Sequence, residues 1–126
     1  MASKADKARP AAAAAAAGQG PFDLAHLEQA TNGDRALARE VLQLFDRQAE
    51  KLLTEIATAA DPRRRSEAAH TLKGAARGVG AFVLANAAEA IETADDDPVA
   101  VIGMLARLSA RVVEARLALF GLIAQS

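Results

Sequence analysis

A chain of 126 residues carrying 15 Lys and Arg against 16 Asp and Glu, for a formal net charge of −1, has room for one small domain and lacks the basic excess of a dedicated nucleic-acid binder. It contains no cysteine, which removes disulfides, thiolate metal sites and a cysteine nucleophile together. Apolar residues make up 52% of the chain but aromatics only 3%, so a core has to be built from Ala, Leu, Val and Ile, side chains that let helices approach closely.

Residues 1 to 20 read as a disordered, Ala-rich tail. Lys4, Lys7 and Arg9 precede Ala11 to Ala17, Pro10 interrupts the stretch, and Gly18 and Gly20 end it. The run is too short and too weakly hydrophobic for a secretory leader. No other stretch reaches the roughly 18 apolar residues needed to span a bilayer. The expectation is a cytoplasmic protein without a membrane contact.

The domain is expected over residues 21–126. Asp23 caps a short helix through about Ala30, closed by Asn32-Gly33. Asp34 opens a long helix in which Leu37, Val41, Leu44, Phe45, Leu52 and Ile56 fall on one apolar stripe, widened by Leu42 and Leu53. It ends near Asp61-Pro62, where proline opens the next helix. That third helix runs to about Val79 and stops at Gly80. A fourth, about Ala81 to Thr93, carries Leu84, Ala88 and Ile91 on one face. Asp95-Asp96-Asp97-Pro98 starts the last helix, which runs to about Ile123 with Val101, Leu105, Leu108, Val112 and Phe120 among its apolar positions. Connections of roughly 2 to 5 residues force neighbouring helices to be antiparallel. The expected fold is all-α: an antiparallel up-down four-helix bundle with a short additional N-terminal helix, monomeric because its helices can bury their faces within one chain.

The segment most informative about chemistry is Glu67 to Ala81. On a wheel of about 100° per residue, Ala68, Leu72, Ala75, Ala76 and Val79 form the core face, and His70 points roughly opposite to Leu72 and Val79. Lys73, Gly74 and Arg77 follow three, four and seven residues later on the same stripe, and Arg63 and Glu67 extend it toward the helix start. A neutral imidazole is a nucleophile near neutral pH and can accept and surrender a phosphoryl group. Lys73 can neutralise phosphate charge, with Arg77 as a second candidate. Gly74 leaves the space beside the ring clear for a partner, at a cost of about 0.5–1 kcal/mol relative to Ala in mid-helix.

Ala69-His70-Thr71-Leu72-Lys73-Gly74-Ala75-Ala76, followed by Gly80-Ala81, resembles the signature of the histidine phosphotransfer (HPt) domain family of bacterial two-component phosphorelays. The resemblance extends over about residues 22 to 124 in helix order and loop length. It implies that His70 is the phosphoacceptor, that Lys73 stabilises the phosphoryl group, and that Gly74 permits docking of a response-regulator receiver domain, with Arg77, Glu67 and Arg63 around it. In that family a Gln or Glu on the next helix often accepts the imidazole Nδ1–H. The matching position is Glu92, 22 residues after His70, with Glu89 one turn earlier as the alternative. The implied function is phosphoryl exchange with a receiver aspartate, fed by a histidine kinase directly or through its receiver. The chain needs no cofactor of its own, since Mg²⁺ belongs to the partner. Two other readings use the same residues: a helical interaction module that binds without transfer, and a detached phosphoacceptor domain of a chemotaxis-type kinase.

The remaining candidates carry less. His26 has no basic or glycine companion and reads as a surface or packing residue. Two histidines without a His-x-x-x-His spacing make no metal site. Arg63-Arg64-Arg65 is a solvated corner or a patch that steers an acidic partner. No Walker-type loop is present, so the chain is an intermediate in transfer, not a kinase that uses ATP.

Overall fold

Aspartates start most of the helices, because a carboxylate at an N-cap satisfies backbone N–H groups that the first turn leaves free. In a computed structural model that describes residues 20–95 and 97–124, Asp23 accepts from the backbone N–H of His26 at 3.1 Å, Asp34 from Leu37 at 3.0 Å and Asp61 from Arg64 at 2.9 Å. These caps open α1 (Leu24–Ala30), α2 (Arg35–Thr58) and α3 (Pro62–Gly78); α4 (Phe82–Glu92) and α5 (Pro98–Ala124) follow. The chain is all-α, with five helices and no strand among the described residues. The expected tail lies outside the described residues, apart from Gly20.

Helix α2 packs on α3 and α5, and α4 packs on α3 and α5, so the four longer helices enclose a common core. Its centre is Leu72, Leu84, Ile91, Leu108 and Leu119, surrounded by alanines from α2 to α5. No membrane-crossing helix occurs among the described residues.

Not every apolar position expected in the core is there. On α2 the buried set is Leu42, Phe45, Ala49, Leu52 and Ile56, whereas Leu37 and Leu44 are exposed. Leu37 lies about 100° and Leu44 about 120° from the centre of the buried arc at 100° per residue, and the helix has more leucines than one face can bury. Phe120 is also exposed, because α5 turns Leu108, Val112, Ala115 and Leu119 inward and Phe120 falls on the opposite side. Helix α3 ends one residue earlier than expected, with Val79 as its cap.

Gly80 ties the leading segment to the bundle. Its φ of +83° lies in the left-handed region, and its carbonyl accepts from the Asp23 N–H at 2.8 Å. A Cβ there would meet the Asp23 carbonyl at 2.9 Å and the His26 ring at 3.3 Å. His26 packs its ring edge-on against Phe82 at 5.1 Å, and Phe22 does the same against Phe45 at 6.1 Å. His26 is thus the packing residue of the two expected possibilities. Gly80→Ala is expected to cost about 1–3 kcal/mol from the φ penalty and the contact with Asp23, measured by urea unfolding.

Candidate functional site

Ser66, His70, Lys73 and Arg77 follow one another at intervals of four, three and four residues, so they form an edge along α3. That edge meets the C-terminal part of α4. Alanines make the approach possible: Ala69 and Ala76 of α3 and Ala85 and Ala88 of α4 are fully buried beside Leu72 and Ile91. Small side chains let two helix axes come close enough for polar groups on their margins to touch.

Four contacts result. Ser66 Oγ donates to the backbone carbonyl of Glu92 at 2.9 Å, which fixes the end of α4 against α3. His70 Nδ1 lies 2.8 Å from Glu92 Oε2. Lys73 Nζ lies 2.7 Å from the other oxygen, Oε1, of the same carboxylate. Arg77 pairs with Glu89 at 2.8 Å. Of the two acids considered for the imidazole, Glu92 faces His70 and Glu89 faces the arginine.

Both partners of the Glu92 carboxylate favour its charged form. Its pKa is held below the ordinary carboxylate value, first by the hydrogen bond from Lys73, against partial burial, with a further contribution from His70. An ionised carboxylate has no proton to give, so His70 Nδ1–H must donate in this contact. The neutral ring then has its lone pair on Nε2. The His70 side chain is 67% exposed, so that nitrogen is available to a large partner.

The stripe read as uniformly outward divides in two. Lys73 is folded onto Glu92 with its side chain only 16% exposed, because the carboxylate draws the ammonium group into the α3–α4 margin. Gly74 has open space where a Cβ would stand, so no packing contact among the described residues requires a glycine there. Arg63 and Glu67 make a long, exposed i,i+4 pair at 3.8 Å, and Arg64 a long, exposed i,i+3 pair with Asp61 at 3.9 Å. Ser66 was missed in the sequence. Its position four residues before His70 on the same edge was the available signal.

An open cleft of about 510 Å³ runs between α2 and α3, lined by Leu52, Glu55, Arg64, Glu67 and Thr71 among others, but His70 is not part of it. The His70 group is a surface site. No cluster of three or more potential metal ligands occurs among the described residues.

The all-helical chain thus presents His70 on a helix surface, with its Nδ1 against a carboxylate and a lysine and a glycine following it. The Hpt domain family model matches residues 40–116, which include His70, Lys73, Gly74 and Glu92, and the chain belongs to that family. The family implies histidine phosphotransfer in phosphorelays. Neither the comparison with curated proteins nor that with solved structures gives a match.

Two outcomes are expected for Glu92. With the ring neutral, ¹⁵N NMR should show wild-type His70 protonated on Nδ1 and Glu92→Ala as a mixture of tautomers. Folding lowers the Glu92 pKa, so the stability this group contributes is complete above the ordinary carboxylate range and is lost as pH falls through the lowered value. Glu92→Gln should therefore lose less stability than wild type between neutral pH and about pH 3, measured as the change in urea midpoint.

Proposed function

We propose that this chain is a histidine phosphotransfer protein that carries a phosphoryl group on His70 Nε2 and exchanges it with the aspartate of a response-regulator receiver domain. The proposed arrangement of α2 to α5 is an antiparallel up-down bundle with α1 leading it. Short connections and the cycle of contacts α2–α3–α4–α5–α2 support this. The observation that carries the functional reading is the 2.8 Å contact between His70 Nδ1 and Glu92, which leaves Nε2 as the nucleophile on an exposed ring.

The Nε2 lone pair attacks the phosphorus of an aspartyl phosphate. The N–P bond forms as the P–O bond to the aspartate breaks, and that carboxylate leaves with the electron pair. The ring becomes cationic while its proton stays on Nδ1, where the Glu92 carboxylate stabilises the developing charge. In the reverse direction an aspartate carboxylate attacks and the neutral ring leaves. Lys73, already beside Glu92, supplies positive charge next to the incoming phosphoryl oxygens. The open space at Gly74 lets the receiver's active site approach the ring. Mg²⁺ and most of the catalytic groups belong to the receiver, and phosphate enters from a histidine kinase directly or through its receiver domain. Arg77, Glu67 and Arg63 border the docking area.

Incubation with a phosphorylated receiver should label the protein with acid-labile phosphate, and His70→Gln should abolish the label. Label that persists in His70→Gln overturns the assignment. Receiver binding without any label in wild type would favour the non-transferring interaction module. Lys73→Ala should slow transfer by about ten- to a hundredfold, the range for losing one charge-assisted contact in the transition state.

A further inference from the structure

Helix α5 is apolar on both sides. Leu108, Val112, Ala115 and Leu119 are buried in the bundle. On the opposite side Val99, Ile102, Val113, Leu117 and Phe120 are 52–77% exposed, and these are five of the eight large exposed hydrophobic residues among those described. Between them lie Gly103, Ala106, Ala110, Gly121 and Ala124, also exposed, and the only charged residues in this arc are Arg107 and Glu114. A helix that is apolar all round is normally covered all round. Neither Gly103 nor Gly121 has a neighbour within 4 Å of where a Cβ would stand, so no contact among the described residues calls for either mid-helix glycine.

We infer that this face pairs with the same face of a second copy, antiparallel, to form a two-fold homodimer. The sequence of the stripe is self-complementary in that direction. When Ala110 of one copy meets Val113 of the other, heptad spacing brings Leu117 onto Ala106, Phe120 onto Gly103 and Val99 onto Ala124. Each layer sets a larger residue against a smaller one, and symmetry repeats every layer. The same register sets Arg107 of each copy beside Glu114 of the other on the flank of the seam. Arg107 has no ion-pair partner among the described residues, and Glu114 is held in place by Arg111 at 3.0 Å. The charges therefore match in the register that packing selects.

The size of the face sets the strength of the dimer. A 27-residue helix about 40 Å long and 10–12 Å wide presents a projected strip of roughly 400 Å² per copy. Even with side-chain relief this stays near the lower end of stable interfaces, about 1,200 Å² in total. The pair is thus a concentration-dependent dimer. Helix α5 packs on α2 and α4, whereas His70 is on α3, so both histidines of the dimer remain accessible.

Sedimentation velocity of the full chain at tens of micromolar should show a species of twice the 13.0 kDa chain mass that dissociates on dilution. Gly103→Leu fills the space that Phe120 of the other copy occupies. It should give a monomer of unchanged or higher thermal stability, which separates loss of pairing from loss of folding. Arg107→Glu should weaken the dimer about tenfold, and adding Glu114→Arg should restore it. A wild-type chain that stays monomeric overturns the inference and leaves the face to residues 1–19, a membrane surface or another protein. A dimer that tolerates Gly103→Leu, or a charge reversal without rescue, overturns the antiparallel register.

Discussion

The site depends on one close approach, the alanine-lined contact between α3 and α4. With Ala69 and Ala76 of α3 and Ala85 and Ala88 of α4 buried, the helix margins come near enough for one carboxylate to reach both the His70 ring and the Lys73 ammonium. Larger residues at those positions would separate the helices by an ångström or more and leave Glu92 in solvent. The low aromatic content of the chain serves the same geometry, since a core of small aliphatic side chains is what brings helix axes together.

Glu92 is the group through which the rest acts. Lys73 holds it in its ionised form, and in that form it can only accept a hydrogen bond, which fixes the protonated nitrogen of His70. The Ser66 hydroxyl, bound to the Glu92 carbonyl, keeps the end of α4 in register with α3. Gly80 contributes from further away. Its left-handed backbone turns the chain from α3 into α4 and receives the leading segment through Asp23. For the proposed phosphotransfer, a nucleophile placed by so few groups is sufficient, because a docking partner would supply the rest of the chemistry.

The two exposed surfaces of the bundle have different characters. The α3–α4 margin is polar and narrow, with open space over Gly74. The outer side of α5 is long and apolar, and in the dimer inferred above Arg107 and Glu114 at its flank match across the two-fold axis. Because α5 and α3 belong to different sides of the bundle, pairing on one does not cover the other.

Much of this was legible in the order of residues. Helical periodicity marked the helices, aspartates and Pro62 marked where three of them begin, and the wheel around Leu72 set His70 outside the core. These features are local, fixed by 3.6 residues per turn and by the needs of a free helix end. Other features were decided only by the tertiary structure. Leu37, Leu44 and Phe120 carry the same apolar signal as their buried neighbours, and only the angular position of each helix against the others decides which of them lose water. Lys73 read as solvent-facing until α4 brought a carboxylate to it. The sequence left Glu92 and Glu89 as alternatives one turn apart, and the axial offset of α4 along α3 assigned the first to His70 and the second to Arg77. Residue types and their spacing determined which chemistry was available on α3. Packing between helices determined which partner each group met, because that depends on distances between residues far apart in the chain.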